Sequence, residues 1–171
     1  AITRIVADIS KVAGDTVELE LLAVDDPSLA GVGLQGECVD SLPIDAIAAG
    51  EPEAGMLSLA DGGPVIEATL YSHLLRSLCP VTGQPDWASI WLHYKGRALD
   101  RGAMLRYLLS FRNHHEFHEQ CVERMFHDLS AVCEPKFLHI QGFYTRRGGM
   151  DINPFRSTEP GARPLPRLNR Q

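Results

Sequence analysis

The chain has 171 residues, room for one ordinary domain or a domain plus a fragment of another. Its 44% apolar and 22% charged residues suit a soluble globular protein, and 16 Lys+Arg against 22 Asp+Glu leave a net charge of −6, which argues against a broad nucleic-acid-binding surface. No apolar run approaches the roughly 18 residues of a membrane span, Arg4 and Asp8 interrupt any signal-peptide core, and Cys38, Cys79, Cys121 and Cys133 lack CxxC spacing, so the chain reads as cytoplasmic with free thiols.

Residues 3–13 carry Ile5, Val6, Ile9 and Val12 at helical spacing, and Gly14-Asp15 ends the pattern. Residues 17–24 open with alternating Val17, Leu19 and Leu21, which predicts a strand. A turn-rich stretch and the GECVD segment around Cys38 follow. Residues 48–64, rich in Gly, Ala, Pro and Glu, read as a loop or linker. Residues 67–79 fit strand and helix equally well by period. Residues 88–94 alternate, with Ile90, Leu92 and Tyr94 on one face and Trp91 and His93 on the other. Two helices are predicted next, over 99–112 and 116–133. The second presents Val122, Met125, Phe126, Leu129 and Val132 on one face and stops at Glu134-Pro135. A strand over 137–145, a turn at 146–149 and a short strand over 150–155 complete the pattern. The tail from Ser157 reads as an extended or mobile arm.

An internal repeat runs at an offset of 120 residues. Arg4, Asp8, Ser10 and Val12 match Arg124, Asp128, Ser130 and Val132, and the predicted strand at Val17 falls on the one at Phe137. The second copy is preceded by a strand pair and a helix and the first is not. The expectation is a chain that starts inside the last helix of an earlier module.

Three stretches carry chemistry. In Cys79-Pro80-Val81-Thr82-Gly83-Gln84-Pro85-Asp86-Trp87, two prolines and a glycine make a stiff turn between a thiol and a carboxylate. A nucleophile beside a proton donor suits addition to an electrophilic carbon; a buried Cys with a turn-capping Asp is the plainer alternative. The stretch from Phe111 to Gln120 gathers six ionisable residues at a helix start. His118 and Glu119 can face a pocket there, a carboxylate being a good reader of a guanine-like edge; His115 and His118 have metal-ligand spacing; an exposed polar helix start is the third possibility. Tyr144-Thr145-Arg146-Arg147-Gly148-Gly149 is a flexible cationic turn, suited to phosphate or simply a solvated tip. Trp87, Trp91 and Phe111 are expected in the core, Cys121 and Cys133 as helix packing, and Cys38 as a small strand residue.

Taken together, CPVTGQPDWA (79–88), YLLSFRNHHEFHEQCVERMFHDL (107–129) and YTRRGGMDINPFRS (144–157) resemble the 7-cyano-7-deazaguanine reductases, the NADPH-dependent nitrile reductases of queuosine biosynthesis. The clear match covers residues 64–171. The resemblance implies an α+β tunnelling fold, an antiparallel sheet with two helices inserted between its second and third strands, and it resolves 67–79 as a strand. It implies that Cys79 attacks the nitrile carbon to form a thioimide and that Asp86 protonates nitrogen. It further implies that His118 and Glu119 bind the 7-deazaguanine and that Arg147 and Gly148 contact NADPH. Residues 1–45 would be the helix–strand–strand end of a first module, 46–64 a linker, 65–157 the catalytic module and 158–171 a C-terminal arm. The lysine-containing cofactor motif of the single-module form is absent at Leu99–Arg106, so part of the NADPH site would lie in a missing or separate first module. The complete protein would be a homodimer with no direct nucleic-acid or membrane partner. Two other functions fit the residues: a zinc-dependent hydrolase using Cys79, His115 and His118, and a non-catalytic purine- or pterin-binding module.

Overall fold

A computed structural model describes residues 2–45, 51–169 and 171. The chain divides into two compact units, Ala1–Ala30 and Gly31–Gln171.

In the first unit, α1 (Ile2–Ala13) forms where the apolar spacing predicts it. It ends on Gly14, whose positive φ of 72° lets its N–H donate to the Ser10 carbonyl at 2.9 Å. Residues 16–23 join no ladder among the described residues, so the strand expected at 17–24 is not formed. Alternation supplies two faces, but a strand also needs a backbone partner for its N–H and C=O groups.

The second unit is built on a five-stranded sheet in the order β1-β2-β3-β4-β5. The strands are β1 (Glu37–Cys38), β2 (Val65–Leu78), β3 (Pro85–Arg97), β4 (Phe137–Tyr144) and β5 (Phe155–Ser157). The β1–β2 pair is parallel and the others are antiparallel, with an irregularity in β2 between Ser72 and Leu75. Between β3 and β4 the chain makes α2 (Arg101–Ser110), a 3-10 turn (Phe111–Asn113) and α3 (His118–Cys133). From β2 to β5 this is the connectivity that the resemblance implies: two strands, two helices, two strands. Asp100 caps α2 by accepting from Ala103 N–H at 2.6 Å. Glu134, in the left-handed region at φ 44°, closes α3 before Pro135.

The helices cover one sheet face. Leu70, Ile90, Leu92, Leu138 and Ile140 meet Tyr107, Phe111, Val122, Met125 and Leu129 in a single core. Each large side chain fully buried there contributes roughly 1.5–3 kcal/mol. The opposite face carries Trp91, His93, Phe137, His139 and Phe155 in ring contact across β3, β4 and β5.

Three expectations for this unit are corrected: the core places of Trp87 and of Trp91, which is half-buried on the face away from the helices, and the bounds of the last strand. Trp87 is 45% exposed rather than in the core. Asp86, Ala88 and Ile90 point inward, so alternation sends Trp87 outward, where the Arg76 guanidinium lies 5.6 Å from its ring centroid. The final strand is Phe155–Ser157 rather than 150–155, because Pro154 has no N–H for the ladder; its carbonyl accepts from Gly142. Of the extended or mobile arm expected from Ser157, the structure has the extended form, held by individual bonds. Buried Gln141 donates to the Leu165 carbonyl at 3.2 Å and accepts from its N–H at 2.7 Å. Val32 and Leu168 form a bridge, and Gln171 Nε2 donates to the Tyr144 carbonyl at 3.1 Å. Prolines leave this segment few backbone donors, so individual bonds to side chains and bridges hold it without any periodic pattern.

Candidate active site

The strands β2 and β3 meet in a hairpin whose last pairs are Ser77 with Asp86 and Leu78 with Pro85. Its loop, residues 79–84, is closed by Cys79 N–H donating to the Gln84 carbonyl at 2.9 Å and Gly83 N–H donating to the Cys79 carbonyl at 2.8 Å. The thiol and the carboxylate therefore leave the same rigid hairpin, Cys79 from the first residue of the loop and Asp86 from β3. Cys79 is partly exposed. The Thr82 hydroxyl and the Thr82 and Val81 N–H groups hydrogen-bond toward its sulfur, and together with the Arg147 charge they hold this thiol below its ordinary range. Burial instead pushes Cys121 and Cys133 up to about 11. Chemistry at a thiolate is thus favoured at Cys79 over the two helical cysteines.

Asp86 lies on the helix-facing side of β3 and is 4% exposed. Its carboxylate lies between a guanidinium and an imidazole. Arg147 Nη2 lies 2.6 Å from Oδ1, and His118 Nε2 lies 3.2 Å from Oδ2. Arg147 also donates to the Gln84 side chain at 3.3 Å and to its carbonyl at 3.4 Å, which ties the cationic turn to the loop that carries Cys79.

His118 comes to Asp86 because the segment before α3 runs along the end of β2. Leu78 N–H donates to the His114 carbonyl at 2.8 Å, and Glu116 N–H donates to the Leu78 carbonyl at 3.2 Å. An ion-pair network stiffens that segment. His114 bonds to Glu51 and lies 3.0 Å from Glu116, and Arg124 lies 3.1 Å from Glu116. Burial pushes the Glu116 carboxyl up, but Arg124 and His114 outweigh it and hold it below its usual range. The 8% exposed imidazole of His118 stacks on buried Tyr144, with ring centroids 3.8 Å apart and planes within 8°.

Four of the residues expected at the site thus come together: Cys79, Asp86, His118 and Arg147. Glu119, next to His118 in the first turn of α3, is exposed. Gly148 follows Arg147 in a turn closed by reciprocal bonds between Arg147 and Met150. A Cβ placed on Gly148 or Gly149 would meet no atom within 4 Å, so the turn is open on that side. Arg146 meanwhile lies 3.1 Å from Asp151. Among the described residues no three His, Cys, Asp or Glu side chains are grouped to hold a metal ion, so Cys79, His115 and His118 do not form the ligand set that a zinc hydrolase needs. Sequence reasoning left Thr82, Gln84 and Tyr144 without roles. All three stand inside the quoted motifs, and that position was the available signal.

A family model described as QueF-like protein matches residues 85–162. An NADPH-dependent 7-cyano-7-deazaguanine reductase of Stenotrophomonas maltophilia strain K279a is 52% identical over 158 residues, covering 92% of this chain and 56% of its own length. A protein of the same name from Chromohalobacter salexigens is 47% identical over 157 residues, covering 92% of this chain and 55% of its own. The chain is similar to these reductases. It spans little more than half their length. A solved structure titled as the archaeosine synthase QueF-Like in the apo form matches with a TM-score of 0.49 at 16% identity, over 58% of this chain and 96% of that one. Among the described residues no helix is long and apolar enough to cross a membrane.

Proposed function

We propose that this chain carries the catalytic half of an NADPH-dependent 7-cyano-7-deazaguanine reductase, converting the nitrile to 7-aminomethyl-7-deazaguanine. The observation that carries this reading is the hairpin that presents an activated thiol, Cys79, with Asp86 held between His118 and Arg147. The names of these similar proteins support it.

In this reading the Cys79 sulfur adds to the nitrile carbon while a proton passes to the nitrile nitrogen, giving a thioimide with no atom lost. Asp86 delivers that proton from the carboxyl oxygen shared with His118, while Arg147 anchors the other oxygen. The trigonal carbon formed at Cys79 is an imine equivalent that can accept hydride. NADPH, when bound, would supply one hydride per molecule, so two molecules serve in turn, and the C–S bond breaks after the first transfer to return the Cys79 thiolate. Arg147 and Gly148 contact it, on the open cationic turn described above. His118 and Glu119 hold the 7-deazaguanine, with the exposed Glu119 carboxylate accepting from its amidine edge.

The catalytic module comprises residues 65–157, the linker 46–64, and the arm 158–171. Residues 1–45 close a first module, with β1 of that stretch paired onto β2 of the catalytic sheet. The 120-residue repeat supports that assignment. The helices α1 and α3 end at Ala13 and Cys133, positions related by the offset, and each passes into a left-handed residue, Gly14 or Glu134, bonded back to Ser10 or Ser130. Ile2, Ile5 and Ile9, which are 44–45% exposed, correspond to the buried Val122, Met125 and Leu129. The helix α1 thus presents the face that α3 lays on a sheet. The complete protein pairs as a homodimer, which sedimentation of the two-module chain would test.

The test of the chemistry is incubation with the nitrile in the absence of NADPH. The intact mass rises by one substrate molecule, and peptide mapping places it on Cys79. Cys79→Ala abolishes it, and alanine at Cys38, Cys121 or Cys133 does not. An adduct that survives Cys79→Ala overturns the assignment.

A further inference from the structure

We infer that Tyr144 is the positioning residue for His118: its buried ring fixes the plane of the imidazole and so aims Nε2 at Asp86. The inference rests on the functional reading above only for its kinetic consequence; the geometry stands by itself.

A histidine at a working site is usually oriented by a hydrogen bond to the nitrogen that does not do the work. His118 has no such bond. Its Nε2 faces Asp86, while its Nδ1 is buried and has no hydrogen-bond partner among the described residues. One contact to Asp86 sets the edge of the ring and leaves its plane free to swing. Packing has to supply the second constraint. The only aromatic ring stacked on the imidazole among the described residues is Tyr144, and the two are nearly parallel at 3.8 Å, closer than the usual spacing of aromatic pairs.

Tyr144 is suited to this because it is itself immobile. It ends β4, paired with Ala88 two residues beyond Asp86, so its ring and the carboxylate hang from adjacent strands on one face. It is fully buried. Gly142, two residues earlier on that face, leaves the space in which the ring lies: a Cβ there would stand 3.0 Å from Tyr144 Cε2 and 2.9 Å from Val122 Cγ2. The arm secures the backbone end, since Gln171 donates to the Tyr144 carbonyl. The phenol oxygen is buried beside the Cys121 thiol and the Ser77 hydroxyl, with no hydrogen bond of full geometry among the described residues. The flat face, rather than the hydroxyl, is what meets the imidazole. Phenylalanine should do the same work, and an aliphatic side chain of similar bulk should not.

The experiment uses the whole chain with 13C-labelled histidine, the His118 ring signal being assigned by its loss in His118→Gln. The His118 Cε1 proton lies over an aromatic face, so its resonance is displaced upfield. That displacement persists in Tyr144→Phe and disappears in Tyr144→Leu and Tyr144→Met. In adduct formation with the nitrile, Tyr144→Phe stays within about threefold of the parent. Tyr144→Leu loses about tenfold or more in the ratio of maximal rate to half-saturating substrate, because His118 both meets Asp86 and holds the substrate. Adding His118→Gln to Tyr144→Leu causes little further loss, because the two act as one unit. Two results overturn the inference: Tyr144→Leu and Tyr144→Met, folded by circular dichroism, keep the upfield signal and the rate, or Tyr144→Phe fails as badly as Tyr144→Leu. If the parent chain forms no adduct, the functional reading fails, and the resonance alone still decides the role of Tyr144.

Discussion

Replacing Gly142 by alanine tests how tightly the site is built into the core. The new methyl would sit 2.9 Å from Val122 Cγ2 and 3.0 Å from Tyr144 Cε2, against the roughly 3.5–4 Å of ordinary carbon contacts. Neither neighbour can swing aside. Val122 is β-branched on a helix, where one rotamer dominates, and it is fully buried; Tyr144 is fully buried against His118. Relief requires α3 to lift from β4 or the tyrosine ring to tilt, and overpacking of this kind costs about 1–3 kcal/mol. Loss of glycine's freedom in the unfolded chain offsets about 0.4–1 kcal/mol of that. The net expectation is a destabilisation of about 1–2 kcal/mol. With a urea slope of about 2 kcal/mol per molar, the midpoint falls by about 0.5–1 M with the slope unchanged. Val122→Ala should cost less in the Gly142→Ala background than alone, by about 0.5 kcal/mol or more, because it removes the closest clash. A Gly142→Ala protein as stable as the parent, with additive behaviour in the double variant, would refute the close packing of β4, Val122 and Tyr144.

Asp86→Asn keeps the shape but cannot serve Arg147 and His118 as two acceptors or donate the same proton, so turnover falls about 10²-fold or more while substrate binding, measured by calorimetry, changes far less. Near-normal turnover would return Asp86 to a structural role. The Cys79 thiol lies below its ordinary range, so the pH–rate profile of adduct formation rises at a lower pH than that of a free cysteine, which titrates near 8.5. Thr82→Val removes the hydroxyl that favours the thiolate; the profile then moves to higher pH, with the loss greatest near neutrality and recovered in alkali, and an unmoved profile would count against the Thr82 bond. Glu119→Leu weakens substrate binding about tenfold or more, since a hydrogen bond to a charged group contributes roughly 1.5–3 kcal/mol; unchanged binding on folded protein would move recognition elsewhere. The chain by itself forms the Cys79 adduct more readily than it reduces it, because Arg146 and Arg147 are the main cations near the pocket and both are engaged. Saturable, tight NADPH dependence of the 171-residue chain would refute a cofactor site divided between modules.

Much of the architecture was legible in the order of residues alone. The alternation of Ile90, Leu92 and Tyr94 is local geometry, and it correctly separates the two faces of β3. The stripe of Val122, Met125 and Leu129 does the same for α3, and Glu134-Pro135 marks its end. The motif around Cys79 placed thiol and carboxylate on one hairpin, because a loop this short leaves its ends nowhere else to go. What only the tertiary structure decided are the contacts between residues distant in the chain. Register brought Tyr144 under His118, Arg147 onto Asp86 and the Gln141 amide onto the arm. Residues 16–23 show the converse, an alternating pattern that joins no ladder among the described residues. Periodicity reports which way a side chain points from its own backbone. Which partner it meets depends on how separate elements pack, and no local pattern encodes that.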